Sequence, residues 1–442
     1  MRKILFASLL LFSMGANAQD VNKDEIKKEV VRILDSINNA NKTKQVQQDK
    51  QESTKNEKEK DSWYKKISLR GYAQVRYNGL FSTNDRVSCE QCDKSWGTTS
   101  TEPNAKSNNG FFIRRARLVF SGQILPSVFV YIQPDFASSP SSGVNNFAQL
   151  RDVYADISFD KKREYRVRIG QSKVPFGFEN MQSSQNRLTL DRNDALNSGI
   201  PNERDLGVFF YWAPAEIRER FAMLVRDGYK GSGDYGVFAF GAYNGNNVNK
   251  TEANKDLHVV TRITYPFVIG SQIIEPGLQA YTGKWAFTNE ISAGVTTDFD
   301  KKYVTDQRIG ATFVLYPKPF GIQTEYNIGK GPRYDKVSNS IEVSDLSGGY
   351  ITLNYKYDIS LEKHHYLYPF AKFQYYDGGK KFEKDARSYI VREYEFGIEW
   401  QPIKAFELVA EWVVSDRTFE DSALPDNRQQ GNLLRLQAQI NF

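Results

Sequence analysis

The chain has 442 residues, a formal net charge of +6, and a composition that is 40% hydrophobic, 14% aromatic and 25% charged. A mean hydropathy of −0.57, with no apolar run beyond the N-terminus near the ~18 residues a spanning helix needs, excludes a helical membrane protein. It does not exclude a membrane β-barrel, whose lipid-facing residues alternate with polar ones. Two Cys and three His argue against a metalloenzyme or a disulfide scaffold, and the modest charge gives no case for nucleic-acid binding.

Residues 1–18 have the three parts of a secretory signal: Arg2 and Lys3, the apolar run from Ile4 to Met14, and the small-residue site Ala16-Asn17-Ala18. No Cys follows that site, so a lipoprotein is not expected. Residues 19–61 form a neutral polar tract with ten basic and ten acidic side chains. Within it Ile26, Val30, Ile33 and Ile37 step by four, three and four, the spacing of a coiled-coil seam about two heptads long. The seam either zips subunits of a trimer beneath the membrane or is one face of a marginal helix. Asn38 to Asp61 reads as a flexible tether.

Residues 62–442 change to short segments of period two, which is the signature of strands. At the end of the chain Leu434, Leu436, Ala438, Ile440 and Phe442 share one parity, and Arg435, Gln437, Gln439 and Asn441 the other. Sixteen such segments begin near Ile67, Phe112, Val128, Asp152, Tyr165, Asp205, Tyr235, Leu257, Gly277, Arg308, Gly321, Tyr350, Leu367, Val391, Phe406 and Leu433. Their connectors alternate between short and long, the arrangement of an outer-membrane barrel with periplasmic turns and extracellular loops. The link from Ala213 to Asp234 breaks the rule, being long on the short side. The outward set, which includes Leu69, Val75, Phe120, Ile309, Phe396 and Leu408, is almost free of charge. Tyr77, Tyr154, Trp212, Tyr265, Tyr316, Tyr357, Tyr375, Trp400 and Trp412 fall near strand ends, as expected of aromatic girdles. The expected fold is therefore an all-β, 16-stranded antiparallel transmembrane barrel behind a short helical periplasmic segment.

The inward set is charged, which a dry core does not tolerate and a water-filled lumen does. Arg70, Arg76, Arg115, Arg117, Arg166 and Arg168 on the first five strands, with Arg262 on the eighth, would form a basic wall of forked donors. Glu393, Glu395, Glu399, Glu407 and Glu411 would form an acidic wall opposite. Asp135, Asp152 and Asp156 sit among the arginines and would neutralise several. Such walls create a transverse field that orients dipolar solutes as readily as it selects anions. They also read as structural ion pairs that keep a lumen hydrated. The loop 171–203 contains Lys173-Val174-Pro175-Phe176-Gly177-Phe178 and both signs of charge, so it is expected to fold into the barrel and narrow it.

Phe112-Ile113-Arg114-Arg115-Ala116-Arg117-Leu118, Gln133-Pro134-Asp135-Phe136, Leu150-Arg151-Asp152-Val153-Tyr154, Ile169-Gly170-Gln171-Ser172-Lys173-Val174-Pro175-Phe176-Gly177 and Arg204-Asp205-Leu206-Gly207 together resemble the phosphate-selective porin O and P family. The resemblance covers residues 63 to 442. It implies a sixteen-stranded outer-membrane barrel of a Gram-negative bacterium, a homotrimer, whose third extracellular loop constricts a channel for phosphate or pyrophosphate through an arginine ladder. Arg115, Arg117, Arg166 and Arg168 match the ladder, Lys173 is the lysine of the constriction loop, and Phe442 resembles the signal read by the barrel-assembly machinery.

Cys89 and Cys92 are expected to form a local disulfide in the first long loop rather than a metal half-site. No Ser–His arrangement suggests a hydrolase, and neither an enzyme nor a cofactor is expected. The function expected is passive diffusion of small hydrophilic solutes, with anions favoured, through a barrel seated in outer-membrane lipid. The alternative is a barrel that anchors an envelope assembly.

Overall fold

The computed structural model describes residues 23–60, 63–83, 110–138, 146–287, 291–297, 303–360 and 365–442. The leader, Cys89, Cys92 and the first long loop lie outside the described residues. The chain divides into two units, residues 1–66 and 67–442.

In the first unit, Lys23–Lys60 is one helix, α1. It runs on through the stretch where a tether is expected, because that stretch holds no Gly or Pro and is rich in Lys, Glu and Gln, all strong helix formers. Asp24 and Glu25 sit in its first turn, at the positive end of the helix dipole. Val30, Ile33 and Ile37 stand exposed along one side.

The second unit is a closed antiparallel barrel. Its strands are β1 (Ile67–Thr83), β2 (Gly110–Leu125), β3 (Val128–Ser138), β4 (Phe147–Ser158), β5 (Tyr165–Lys173), β6 (Arg204–Trp212), β7 (Phe238–Tyr243) and β8 (His258–Thr264). The second half is β9 (Gln272–Ala286), β10 (Tyr303–Leu315), β11 (Phe320–Asp335), β12 (Ser340–Tyr355), β13 (Tyr366–Gly379), β14 (Ser388–Ile403), β15 (Phe406–Glu420) and β16 (Arg428–Asn441). Each pairs with its neighbour, and β1 closes on β16 with Ala73 opposite Ile440. Three further segments of two or three residues, at Phe267–Ile269, Thr296–Thr297 and Tyr357–Asp358, extend the sheet without adding a wall strand. Phe442 completes the seam, its carbonyl accepting from the Gly71 N–H at 2.7 Å and its N–H donating to the Gly71 carbonyl at 3.0 Å.

Period two in the sequence becomes period two in burial. Along β10, residues alternate without a break from Tyr303 outward and Val304 inward to Phe313 outward and Val314 inward. A bulge in β2 decides the best-defined part of the lumen. Gln74 faces Arg115 but Val75 faces Ile113, so Arg114 is an extra residue and parity flips there. Phe111 and Ile113 consequently point out while Arg115 and Arg117 point in.

Two sequence expectations change. The β11–β12 connection lies on the long-loop side, yet it is only residues 336–339, because both strands continue far beyond the apolar band. There polar residues such as Lys330 and Asp345 interrupt the outward face between Ile328 and Val343, and the clean apolar alternation that marks a strand is gone. Tyr154 and Tyr316 are not girdle residues. Tyr154 stacks on Tyr131 beneath the Arg168 guanidinium, and Tyr316 is fully buried, bonding to Glu275.

Candidate functional site

All eight cations of the expected selectivity set lie on inward positions. Arg76, Arg115, Arg117, Arg166, Arg168, Lys173 and Arg262 are buried in the lumen, while Arg70 shares their parity near the start of β1 and is exposed. Glu393, Glu395, Glu399, Glu407 and Glu411 are likewise inward and buried. The structure adds what each of them touches.

Most of the basic wall is already paired. Arg168 grips Asp156 with Nε and Nη2 at 2.7 and 2.9 Å, a forked contact of the kind guanidinium makes best. Arg117 meets Asp135 at 2.6 Å, Arg166 meets Asp234 at 2.8 Å, and Arg262 meets Glu275 at 3.0 Å. Arg76 donates to Gln437 and to the Leu190 carbonyl. Arg115 is different. Its Nη1 donates to Gln74 at 2.7 Å, and among the described residues it has no carboxylate partner and its Nε has no acceptor. Arg114, Arg117 and Arg187 surround it, with Asp191 acting on it from outside ion-pair distance, and Arg187 itself lies 3.8 Å from a shared carboxylate, Glu203.

The loop between β5 and β6 folds into the barrel and contacts its wall in every direction. Gly177, at φ 84°, makes the turn that lets the Phe178 N–H donate to Glu325 on β11 at 2.8 Å; a Cβ there would sit 2.4 Å from Leu196. The Leu190 N–H donates to Glu411 on β15, the Asp194 N–H to Gln374 on β13, and Arg308 on β10 donates to the Ala195 carbonyl. Ser184 bonds Tyr72 on β1. On the remaining side Val174, Phe176, Leu196 and Ile200 pack against Phe209, Tyr211, Tyr243 and Tyr281. The loop includes two short helices, α2 (Phe178–Met181) and α3 (Asp194–Gly199).

Four carboxylates staple this loop. Glu179 meets Lys372 at 3.0 Å, Asp191 meets Arg435 at 3.2 Å, and Asp194 meets Lys380 at 2.6 Å and Arg417 at 3.0 Å. Glu203, at the loop's end, is shared by Arg204 at 2.6 Å, Lys173 and Arg192 at 3.2 Å, and the more distant Arg187. Lys173 also donates to the carbonyls of Asn180 and Gln182 at 2.9 and 2.5 Å, so its ammonium is fully engaged. Burial alone would raise the Asp194 pKa, but Arg417 and Lys380 outweigh it and hold the group at about 2. Glu203 is held well below the ordinary carboxylate range, burial again being overcome, here by Lys173, Arg192 and Arg204.

The sign of the pH effect follows. Carboxylates depressed by folding contribute stability above their unfolded pKa of about 4, which is lost as pH falls through the folded value. The inward loop is therefore expected to persist from neutral pH to about pH 4 and to loosen only towards pH 2. Single-channel conductance across that range should stay flat and then rise; a rise already at about pH 5 would show that these carboxylates do not hold the loop.

The acidic wall is also largely paired. Glu393 meets Arg417 at 2.8 Å, Glu395 meets Lys372 at 3.4 Å, Glu399 meets Lys230 at 2.5 Å and Glu411 meets Arg435 at 3.0 Å. Glu407 accepts from Gln401 at 3.0 Å and forms no ion pair among the described residues, Lys230 acting on it only at longer range.

Apart from Lys173, sequence reading missed the buried lysines Lys230, Lys372, Lys380 and Lys381. Lys372 could have been found by strand parity with Tyr368 and Gln374. Lys380 and Lys381 follow Gly378-Gly379, the last residues of β13, in the β13–β14 loop, and Lys230 lies in the β6–β7 link. All are buried, Lys381 bonding to Asp306. Loops that fold inward leave no periodic signal.

The family model for phosphate-selective porin O and P matches residues 97–442. The chain belongs to this family. Among solved structures, the porin resembles the outer membrane channel DcaP of Acinetobacter baumannii (TM-score 0.52, 15% identity, 85% of this chain and 97% of that one). It also resembles OmpF of Salmonella typhi (0.53, 12%, 85% and 97%). A third is an anion-selective porin from Comamonas acidovorans (0.50, 9%, 85% and 99%). These likenesses are of fold. No match is found among curated protein sequences. The porin is thus a non-enzymatic channel protein of a Gram-negative outer membrane.

Proposed function

We propose that this porin passes small hydrophilic anions, and that the Arg115–Arg187 pair is where a passing anion is held. The observation that carries the reading is the contrast within one wall: Arg117, Arg166, Arg168 and Arg262 each have a carboxylate, whereas Arg115 has a single neutral acceptor. A guanidinium with no carboxylate in ion-pair contact among the described residues, beside a second with an unpaired Nε, gains most from an incoming phosphate or carboxylate. Lys173 acts in this scheme by holding the constriction loop, and the paired arginines keep the wall positive and hydrated. Inorganic phosphate is the probe: in planar bilayers it is expected to reduce chloride current through the wild-type channel. A phosphate-insensitive current would remove the binding site while leaving the channel.

A homotrimer in outer-membrane lipid fits the family resemblance, and the uncovered stripe of Val30, Ile33 and Ile37 on α1 supplies a face for second and third copies. Phe442, with its side chain exposed at the barrel seam, is available as an assembly signal.

A further inference from the structure

The β6–β7 link, residues 213–237, is the long connection on the side where the others are turns. It contains the helix α4 (Ala215–Arg226), whose Ile217, Phe221 and Leu224 are buried on one face. They pack with Ile273 on β9, Val314 on β10, Tyr316 and Phe178 of the constriction loop. The near end is fixed to its own side. Arg218 donates to the Arg163 carbonyl at 2.6 Å and Arg220 to the Pro266 carbonyl at 2.7 Å, both in neighbouring turns, while Asp234 joins Arg218 at 2.7 Å and Arg166 at 2.8 Å.

The helix then stops and the chain crosses the mouth. Gly228 N–H donates to Val225 and Tyr229 N–H to Leu224, the paired bonds that end a helix on a left-handed glycine, here at φ 74°. Beyond that turn the far wall takes hold. Lys356 donates to the Asp227 carbonyl at 3.2 Å, Tyr368 on β13 donates to the Gly228 carbonyl at 2.8 Å, and Lys230 meets Glu399 on β14 at 2.5 Å. The Lys230 ammonium also lies 4.5 Å from the Tyr368 ring. The Lys230 carbonyl accepts from Gln182 of the constriction loop at 2.6 Å.

We infer that this link is a strap forming a second constriction, in series with the loop and on its periplasmic side, pinned across the mouth by Lys230–Glu399. Two features exceed what a mere connector needs: a helix with its own buried apolar face, and an ion pair to the opposite wall. The strap also props the constriction loop from below through Gln182 and Phe178. Solutes that pass Arg115 must then pass the strap, so both restrict the channel. This rests on the channel reading above.

The test uses the full-length porin in planar bilayers, with swelling of liposomes in neutral sugars of increasing size as a second readout. Replacing residues 216–232 with a short turn is expected to raise single-channel conductance by about twofold or more and to admit larger sugars, as widening a series constriction does. Lys230→Met, which leaves the helix in place, should give a smaller rise of the same kind and a noisier open level. The exchange Lys230→Glu with Glu399→Lys should restore the wild-type level. Folding is read from the heat-modifiable migration of the barrel; should the shortened chain not fold, Lys230→Met decides. A folded variant with unchanged conductance and sugar cut-off overturns the strap while the porin stands. A wild-type protein that never conducts overturns the channel reading, and the strap with it.

Discussion

Glu203→Gln is expected to raise single-channel conductance several-fold and to make the open state noisy. Glu203 is the carboxylate shared by Arg204, Lys173 and Arg192, with Arg187 beside them, and of these Arg204 also has Asp152 at 2.9 Å. Neutralising it leaves these cations facing one another in a buried site, and removing one partner of a buried pair costs about 3–5 kcal/mol. The strand ladder on either side does not use the Glu203 side chain, so the loss falls on the loop. Asp194→Asn, nine residues earlier in the loop, should act in the same direction by taking a partner from Lys380 and Arg417. Glu203→Gln should also make the channel more anion-selective, because it uncovers positive charge. Conductance indistinguishable from wild type in both variants would show that something other than these pairs sets the loop.

Arg115→Ala is expected to weaken block by phosphate about tenfold and to move the reversal potential towards zero. A hydrogen bond to a charged group is worth about 1.5–3 kcal/mol, and 1.4 kcal/mol is a factor of ten. This substitution orphans no carboxylate, since Gln74 is the acceptor lost. Arg117→Ala removes the same charge with a different result. It strands Asp135 and takes a donor from Tyr72, so a loss of folded protein is expected before any change in selectivity. Comparing the two separates a binding role from a structural one, with heat-modifiable migration as the check on folding.

Much of this molecule could be read from residue order because a barrel wall obeys one rule. Inward and outward residues alternate, so Leu69, Ile309 and Phe396 declare the lipid face, and Arg166, Arg168 and Glu411 the lumen, without any tertiary information. The rule fails where the chain leaves the membrane or stops being a strand. The upper ends of β11 and β12 mix polar and apolar residues, as at Lys330, Pro332, Val343 and Asp345, so no clean alternation marks the hairpin. Lys380 and Lys381 point inward because a loop folds back, and α4 forms in the β6–β7 link because its apolar face finds Ile273 and Tyr316. Nor does alternation report pairing: Arg115 and Arg117 have the same parity, and only their partners, Gln74 for one and Asp135 for the other, distinguish a guanidinium on a neutral acceptor from one in an ion pair.

The central claim, that an unpaired arginine in a narrowed lumen favours anions, is tested most directly by the reversal potential of the wild-type porin in a planar bilayer under a KCl gradient, repeated with phosphate added. The account predicts anion selectivity, a current reduced by phosphate, and weakening of both effects in Arg115→Ala. Cation selectivity, or an anion-selective current that phosphate leaves untouched and Arg115→Ala does not alter, would contradict it.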